Sequence, residues 1–428
     1  MIDKRTPIPV PEAQKRVMDA AKRGTQKEWV PITEADGRTL AEAVYADHDI
    51  PPFDRSPLDG FAVQSEDTKN ATSETPVYLE VMETVGAGHV AKPVTKPGQA
   101  VRVMTGTMMP EGCDAICMFE LTNEVIKDGK TYIEVKRSFK IGDFVSFKGE
   151  ETKKGDALMQ EGTLITPGVK AVLATFGYAT VPVTKKPKVG IFATGTELLE
   201  VDEPMEPGKI RNSNAYMVAS QVENAGASGQ YYGKLADDFD ACYRAIKSAV
   251  ENVDMLITTG GVSVGDFDFL PAIYEKLGAT VLFNKIAQRP GSVTTVADLD
   301  GKLLFGLSGN PSACFVGFEL YTRPAISMFL GSKTPYLTQT KATLTKDFPK
   351  ANPFTRFIRS EIGFTGDGTL TTGPVGFDKS STVTSLAHTS CFTVLPGGSR
   401  GFEAGDQVDV LLVDGPRSAQ SLVLPKKD

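Results

Sequence analysis

Residues 253–277 read VDMLITTGGVSVGDFDFLPAIYEKL, and the fold follows from how this stretch is taken. Its first seven residues, Val253 to Thr259, form a short apolar run rich in β-branched side chains, which suits a buried parallel strand. Gly260-Gly261 ends that strand. Asp266 is placed to cap a helix carrying Leu270, Ile273, Tyr274 and Leu277 at helical spacing. A strand that breaks on glycines and opens a helix leaves backbone N–H groups at the carboxyl edge of a sheet, where amides and helix dipole both favour an anion. Asp266 and Asp268 stand on the same edge and would repel phosphate unless a divalent cation lay between them. Amides for phosphate and carboxylates for a metal together point to a nucleotide or a phosphorylated cofactor.

Upstream, KVGIFATGTELLE (188–200) repeats the pattern: an apolar strand breaks at Thr194-Gly195 and is followed by Glu197. Residues 213–224 predict a helix ending at Gly226, and residues 229–235 a strand. Asp237-Asp238 cap a helix over 239–250. Downstream, residues 302–307 predict a strand that breaks at Ser308-Gly309-Asn310-Pro311 before a long helix over 312–329. Such alternation makes an open, mostly parallel, doubly wound sheet with helices on both faces. The strand ends gather on one rim, Thr194 to Glu197, Asp237-Asp238, Thr259 to Asp268 and Ser308 to Ser312, where ligands of such sheets bind. A capping aspartate or a glycine turn alone carries little information; four polar turns on one rim favour a site. Lys285 and Arg289, in NKIAQRPGS, follow, and the Pro290-Gly291 turn fixes the direction of the arginine.

The flanks read differently. Residues 9–24 predict a helix opened by Val10 and Pro11, with Ala13, Val17, Met18 and Ala21 on one face and Gly24 as the stop. A second helix is expected over 33–46, with Thr33 as cap and Asp36 in its first turn. HDIPPFDRSPLDGFAV (48–63), with three prolines and a Leu-Asp-Gly turn, is an ordered loop carrying Asp54, Arg55, Ser56 and Asp59. Residues 77–135 alternate short β-like runs with Gly, Pro and Asn turns and predict a small all-β unit. Within it the Thr105-Gly106-Thr107 loop offers a hydroxyl and amides to an anion, although a plain turn is the commoner meaning. FKIGDFVSFKGEETKKGD (139–156) reads as an exposed loop with Glu150 and Glu151. Beyond Gly331 the strand-like runs between Gly and Pro turns predict a closing β-barrel or sandwich of about 90 residues.

Composition narrows the classes. The 428 residues hold several domains, each with its own core. With 46 basic against 53 acidic residues the net charge is −7, which argues against nucleic acid or an anionic membrane as the main partner. An anionic ligand must then be held by local groups. No apolar run approaches the roughly 20 residues of a membrane span, and MIDKRTPIPV has no signal-peptide core, so a cytoplasmic location is expected. The five cysteines are scattered and read as inert thiols. His48, His89 and His388 are isolated, so neither a histidine-ligated metal nor a Ser-His-Asp arrangement is expected.

Several of these stretches, taken in order, resemble one family. PPFDRSPLDGFAV, VMTGTMMPEGCDA, ATGTEL, TTGGVSVGDFD and GLSGNPSA are similar to motifs of the MoeA family of molybdopterin molybdenumtransferases and of the gephyrin E domain. The likeness runs over nearly the whole chain. It implies multidomain α/β plus β architecture: a discontinuous, mixed helical linking and dimerisation domain (1–46 and 140–186), an inserted β-rich domain (47–139), a Mog-like α/β molybdopterin-binding domain (187–331) and a C-terminal β-barrel-like domain (332–428).

The same likeness implies an enzyme that inserts molybdate into adenylylated molybdopterin with Mg²⁺-dependent release of AMP. Carried over by motif, Asp59, Glu197, Asp238 (or Asp237) and Asp268 take catalytic places, the last four also standing as metal ligands. Thr105, Thr194, Gly195, Gly260, Gly261, Ser263, Lys285, Arg289, Ser308, Gly309, Asn310 and Pro311 take substrate-binding places. A homodimer is implied, with transient contacts to the molybdopterin adenylyltransferase and to apo-molybdoenzymes. Three departures stand out: Ser292 where the family has a lysine (PGSV for PGKP), Ser308 where it has proline, and Thr196 where it has aspartate. Loss of one cation removes a charge-assisted contact of about 1.5–3 kcal/mol. They keep open a second reading, a non-catalytic paralogue that binds molybdopterin or partner proteins as a scaffold. A generic nucleotide-binding α/β enzyme explains the rim but leaves the PPFDRSPLDGFAV loop unused.

Overall fold

The computed structural model describes residues 6–22, 24, 26–235, 238–261, 270–349 and 353–413. Two compact units are present: residues 1–41, 162–166 and 180–428 form the larger, and 42–161 with 167–179 the smaller.

The larger unit is organised on a six-stranded sheet in the order Ser228–Leu235, Lys188–Thr194, Met255–Thr259, Lys302–Leu307, Thr295–Leu299, Thr280–Phe283. The first four strands are parallel, as alternation with helices requires. Thr295–Leu299 then runs antiparallel to both of its neighbours, forming a hairpin with Lys302–Leu307. Successive side chains point to opposite faces of a strand, and both faces are covered. Ile191, Ile257 and Phe305 pack with helix Asn214–Asn224 and the helical run from Pro311 to Phe329 on one face. Their neighbours Phe192, Leu256 and Leu304 pack with helices Phe239–Asn252 and Leu270–Lys276 on the other. The run from Pro311 to Phe329 is not uniformly α-helical, because Phe318–Thr322 form a π-helical segment.

Helix Val10–Ala20 joins the first of these cores through Val10, Ala13 and Val17. Gly24 does not end it; a Cβ there would collide with the ring of Phe329, so glycine lets the chain cross that helix end. The helix expected over 33–46 is absent. A 3-10 turn, Ile32–Glu34, leads to Gly37 at φ +67°, outside the helical region. Leu40, fully buried, then donates from its amide to Thr163 O (2.9 Å). Burial of Leu40 and bridging of Thr39 and Leu40 to Leu164 and Val183 override a helix-compatible sequence.

The C-terminal segment closes a five-stranded barrel in which Thr355–Phe364 pairs with both Leu370–Pro374 and Cys391–Leu395. Residues Gln288–Arg289 add a short parallel strand to its edge, in register with Thr355 and Arg356. In the smaller unit a mixed six-stranded sheet carries Gly60–Val63 between Ala115–Met118 and Gln99–Val103. That unit also holds helix Pro167–Thr175. Among the described residues no helix is long and apolar enough to cross a membrane.

Ile257 is 0 % exposed on an interior strand. Ile257→Ala is expected to cost about 2–5 kcal/mol, read as a lower urea midpoint for the larger unit.

Candidate functional site

Three parallel strands end together at the carboxyl edge of the sheet, and they are tied to one another. The Thr194 hydroxyl donates to Thr259 O (3.1 Å), and the Gly260 amide donates to Leu307 O (2.9 Å). The Gly260 N–H therefore extends the sheet instead of standing free for phosphate, and what this glycine supplies is room. It sits at φ +90°, and a Cβ would lie 2.5 Å from Thr194 Oγ1. Gly195 has the same function one strand over: at φ +136°, its missing Cβ makes space for the Glu197 carboxylate, which a side chain there would strike. Glu197 is exposed, and its carbonyl accepts from Ile210 N (2.9 Å), which anchors the loop carrying it.

The turn after Lys302–Leu307 is fixed from several sides. The Ser308 hydroxyl accepts from Asn310 N (3.2 Å), and Asn214 Nδ2 donates to Gly309 O (2.8 Å). Pro311 opens the helix, where the absence of an N–H costs nothing. The Ser312 amide and hydroxyl donate to Ser380 O and Thr382 O, which stitches this turn to the barrel.

Beside that turn lies a cavity of about 350 Å³, walled by Arg289, Ser292 and Ser308 on one side and by Arg356, Arg359, Asp378 and Ser380 on the other. Three guanidinium groups face one carboxylate. Arg289 and Arg356 are register partners on neighbouring strands. Asp378 pairs with Arg356. Arg359 is 1 % exposed; its Nε donates to Ser385 Oγ (3.0 Å) and its Nη2 to Phe377 O (2.9 Å), while Nη1 is buried without a partner. Burial pushes this guanidinium below its usual range, against the pull of Asp378. A buried cationic donor left unsatisfied is costly. Sequence reasoning finds Arg289 but misses Arg356, Arg359 and Asp378. The available signal is an arginine inside the strand-like run RFIRSEIGF, since arginine is rarely buried unless partnered. Lys285 lies elsewhere, its carbonyl accepting from Ile8 N (3.1 Å), and it does not line the cavity.

In the smaller unit the two sequence-predicted loop residues meet. Asp59 Oδ1 accepts from both the amide (2.7 Å) and the hydroxyl (2.9 Å) of Thr105. These bonds, with Arg102 nearby, hold the Asp59 carboxyl below the ordinary aspartate range. The loop is held by backbone pairs, Ser56 N to Thr107 O and Arg55 N to Ser146 O (2.9 Å each), and Glu150 is fixed by Ser146 and by Phe147 N. Asp59 is thus an ionised, exposed group on a rigid loop.

Ser263, Asp266, Asp268 and Asp237 lie outside the described residues. Asp238 caps helix Phe239–Asn252, accepting from Ala241 N at 2.7 Å through Oδ1. Among the described residues no three His, Cys, Asp or Glu side chains gather to hold a metal. Magnesium takes hard oxygen ligands and is commonly held by one or two carboxylates plus substrate phosphates and water. The exposed Glu197 carboxylate and the second oxygen of Asp238 suit that donor set.

Residues 8–177 match the MoeA N-terminal region (domain I and II), residues 190–328 the probable molybdopterin binding domain, and residues 341–413 the MoeA C-terminal region (domain IV). The chain is 57 % identical over 413 residues to the molybdopterin molybdenumtransferase of Bacillus subtilis strain 168, with 96 % of each chain covered. The chain belongs to the molybdopterin molybdenumtransferase family. It is also 47 % identical over 424 residues to the Staphylococcus aureus COL protein of that name, covering 99 % of this chain and all of the relative. The solved structure of the Pyrococcus horikoshii OT3 molybdopterin biosynthesis MoeA protein superposes with a TM-score of 0.81 at 32 % identity, over 95 % of this chain and all of that one. The molybdopterin-binding match spans the glycine-crowded rim, and the domain IV match spans Arg356, Arg359 and Asp378.

Two outcomes test the geometry. Gly260→Ala forces a side chain into positive φ against Thr194 Oγ1 and is expected to destabilise by about 1–3 kcal/mol, with Thr194→Ala in the same chain restoring only part of the loss in denaturation midpoint. Thr105→Val removes one of the two donors to Asp59, so the Asp59 pKa should rise toward the ordinary value in a carboxyl NMR titration. A depressed pKa gives stability that is present above the unfolded value and lost as pH falls through the folded one; Thr105→Val should therefore shift that loss to higher pH.

Proposed function

We propose that this enzyme of molybdenum cofactor biosynthesis transfers molybdenum from molybdate to adenylylated molybdopterin, releasing AMP. The observation that carries this reading is the cavity of three arginines set against the turn at Ser308–Pro311. A tetrahedral oxyanion matches its charge and its donors: guanidinium N–H groups and the hydroxyls of Ser292, Ser308 and Ser380.

The residues divide the work. The arginines bind the oxyanion, and the glycine-crowded rim receives the pterin pyrophosphate. Glu197 and Asp238 would hold magnesium, with Asp237 and Asp268 in the same role on the motif likeness. When bound, that ion neutralises charge on the phosphates. An oxygen nucleophile attacks phosphorus of the phosphoanhydride, the P–O bond to the departing AMP breaks with its electron pair on AMP, and a rim carboxylate takes the proton of the attacking group. Asp59, ionised and fixed by Thr105, takes its catalytic place on the motif likeness alone. Two oxygens of molybdate then leave as water, taking the protons of the dithiolene thiols and protons from solvent, as the two sulfurs bind molybdenum at unchanged oxidation state. We place the enzyme in the cytoplasm as a homodimer, receiving its pterin from the adenylyltransferase and passing its product to apo-molybdoenzymes. Support for that is the family likeness and the sequence features above.

Purified protein incubated with adenylylated molybdopterin, Mg²⁺ and molybdate should release AMP only when molybdate is present. Glu197→Ala should lower that rate by about 10²–10⁴-fold. Tight pterin binding without AMP release would instead favour a binding scaffold, and no binding would remove both readings.

A further inference from the structure

The arginine cavity has one wall that its own lining residues do not explain. Pro290 and Gly291 form it, and nothing in their sequence fixes where the Pro290 carbonyl points. What fixes it is buried. Gln288 Nε2 donates to Pro290 O (3.0 Å), and the Tyr321 hydroxyl donates to Gln288 Oε1. Both side chains are 0 % exposed. Gly291 closes over the same amide, since a Cβ there would stand 3.2 Å from Gln288 Nε2 and 3.3 Å from Ala313 O. On the far side, Thr294 Oγ1 donates to Gly291 O (2.9 Å).

Tyr321 belongs to the π-helical segment Phe318–Thr322 that interrupts the run from Pro311 to Phe329. A π turn carries one residue more than an α turn, is seldom retained in a helix without reason, and is frequent at functional sites. In this helix the same run begins at the rim turn, where Ser312 is tied to the barrel, and reaches back under the cavity through Tyr321. Burial keeps the phenol protonated well past its ordinary range, so it is a donor at every working pH. With that donor spent on Gln288 Oε1, the amide orientation is set, and Nε2 has only the Pro290 carbonyl to serve.

We infer that Tyr321 and Gln288 are positioning residues for the oxyanion, a buried relay that holds the Pro290–Gly291 wall, and with it Arg289, at the spacing the anion needs. The relay rests on the molybdate reading above and deepens it. Neither side chain touches the anion; each acts through the wall.

The test separates this from simple core satisfaction. Molybdate alone is titrated into wild type, Tyr321→Phe and Gln288→Met by calorimetry. KM for molybdate, KM for adenylylated pterin and kcat are then taken from AMP release. The relay predicts a rise of about tenfold in molybdate Kd and KM in each variant, the size of one lost hydrogen bond. Pterin KM and kcat at saturating molybdate should stay within about twofold by the same measure. It also predicts that the double variant is no worse than either single one, because one chain is broken once. A core role only would lower the melting temperature and leave the ratio of the two KM values unchanged, which overturns the relay. Single effects that add in the double variant overturn it too. Should Tyr321→Phe not fold, Gln288→Met decides by the same ratio. If the variants match a wild type that binds molybdate, the relay alone is lost; if wild type binds no molybdate, the reading beneath it is lost as well.

Discussion

The amide of Gly260 reaches the carbonyl of Leu307, and the rest of the site depends on that bond. It extends the pairing of two parallel strands one residue past the point where their side chains stop, and the Thr194 hydroxyl binds a third strand to the same place. Three strand ends are thereby held together. Only glycine tolerates the position, because the conformation is left-handed and a Cβ would meet Thr194. The glycines of this edge are conditions for three turns to coexist. They are not primarily a source of N–H donors.

From that constraint the division of chemistry follows. Glu197 is projected over Gly195, Asp238 is committed with one oxygen to a helix cap and keeps the other, and the Ser308–Pro311 turn is locked by Asn214 and Ser312. Glu197 and Asp238 thus stand on the sheet edge, while Arg289, Arg356 and Arg359 line the cavity where the turn meets the barrel. The charge of the whole chain, −7, is no guide to this local segregation.

Much of the α/β sheet is legible in the sequence, because buried parallel strands and amphipathic helices have patterns that tertiary context seldom reverses. The strand Lys302–Leu307 and the capping role of Asp238 are where the pattern puts them. The segment 33–46 misleads because its propensity is helical while Leu40 is claimed by a strand-like bridge. The hairpin strand Thr295–Leu299 is hard to see because its buried and half-buried residues do not alternate along the strand. The cavity is half legible. Arg289 lies next to a Pro-Gly turn that announces it, whereas Arg356 and Arg359 sit in a strand whose pairing with Gln288–Arg289 is set by distant chain. Sequence spacing carries no record of contacts made across more than sixty residues. The motif likeness points to the family, yet its departure at Ser292 gains meaning only beside three arginines that already supply the charge.

The tie between Ser312 and the carbonyls of Ser380 and Thr382 has a consequence for how such chains diversify. The barrel is joined to the sheet beside the arginine cavity, so it cannot be treated as an appendage added for solubility or docking. A recombination event that exchanged barrels between two relatives would leave the sheet rim untouched and replace Arg356, Arg359 and Asp378 together. Selectivity among tetrahedral oxyanions could then be inherited as a module, separately from the pterin chemistry, with the helix opening at Pro311 as the seam.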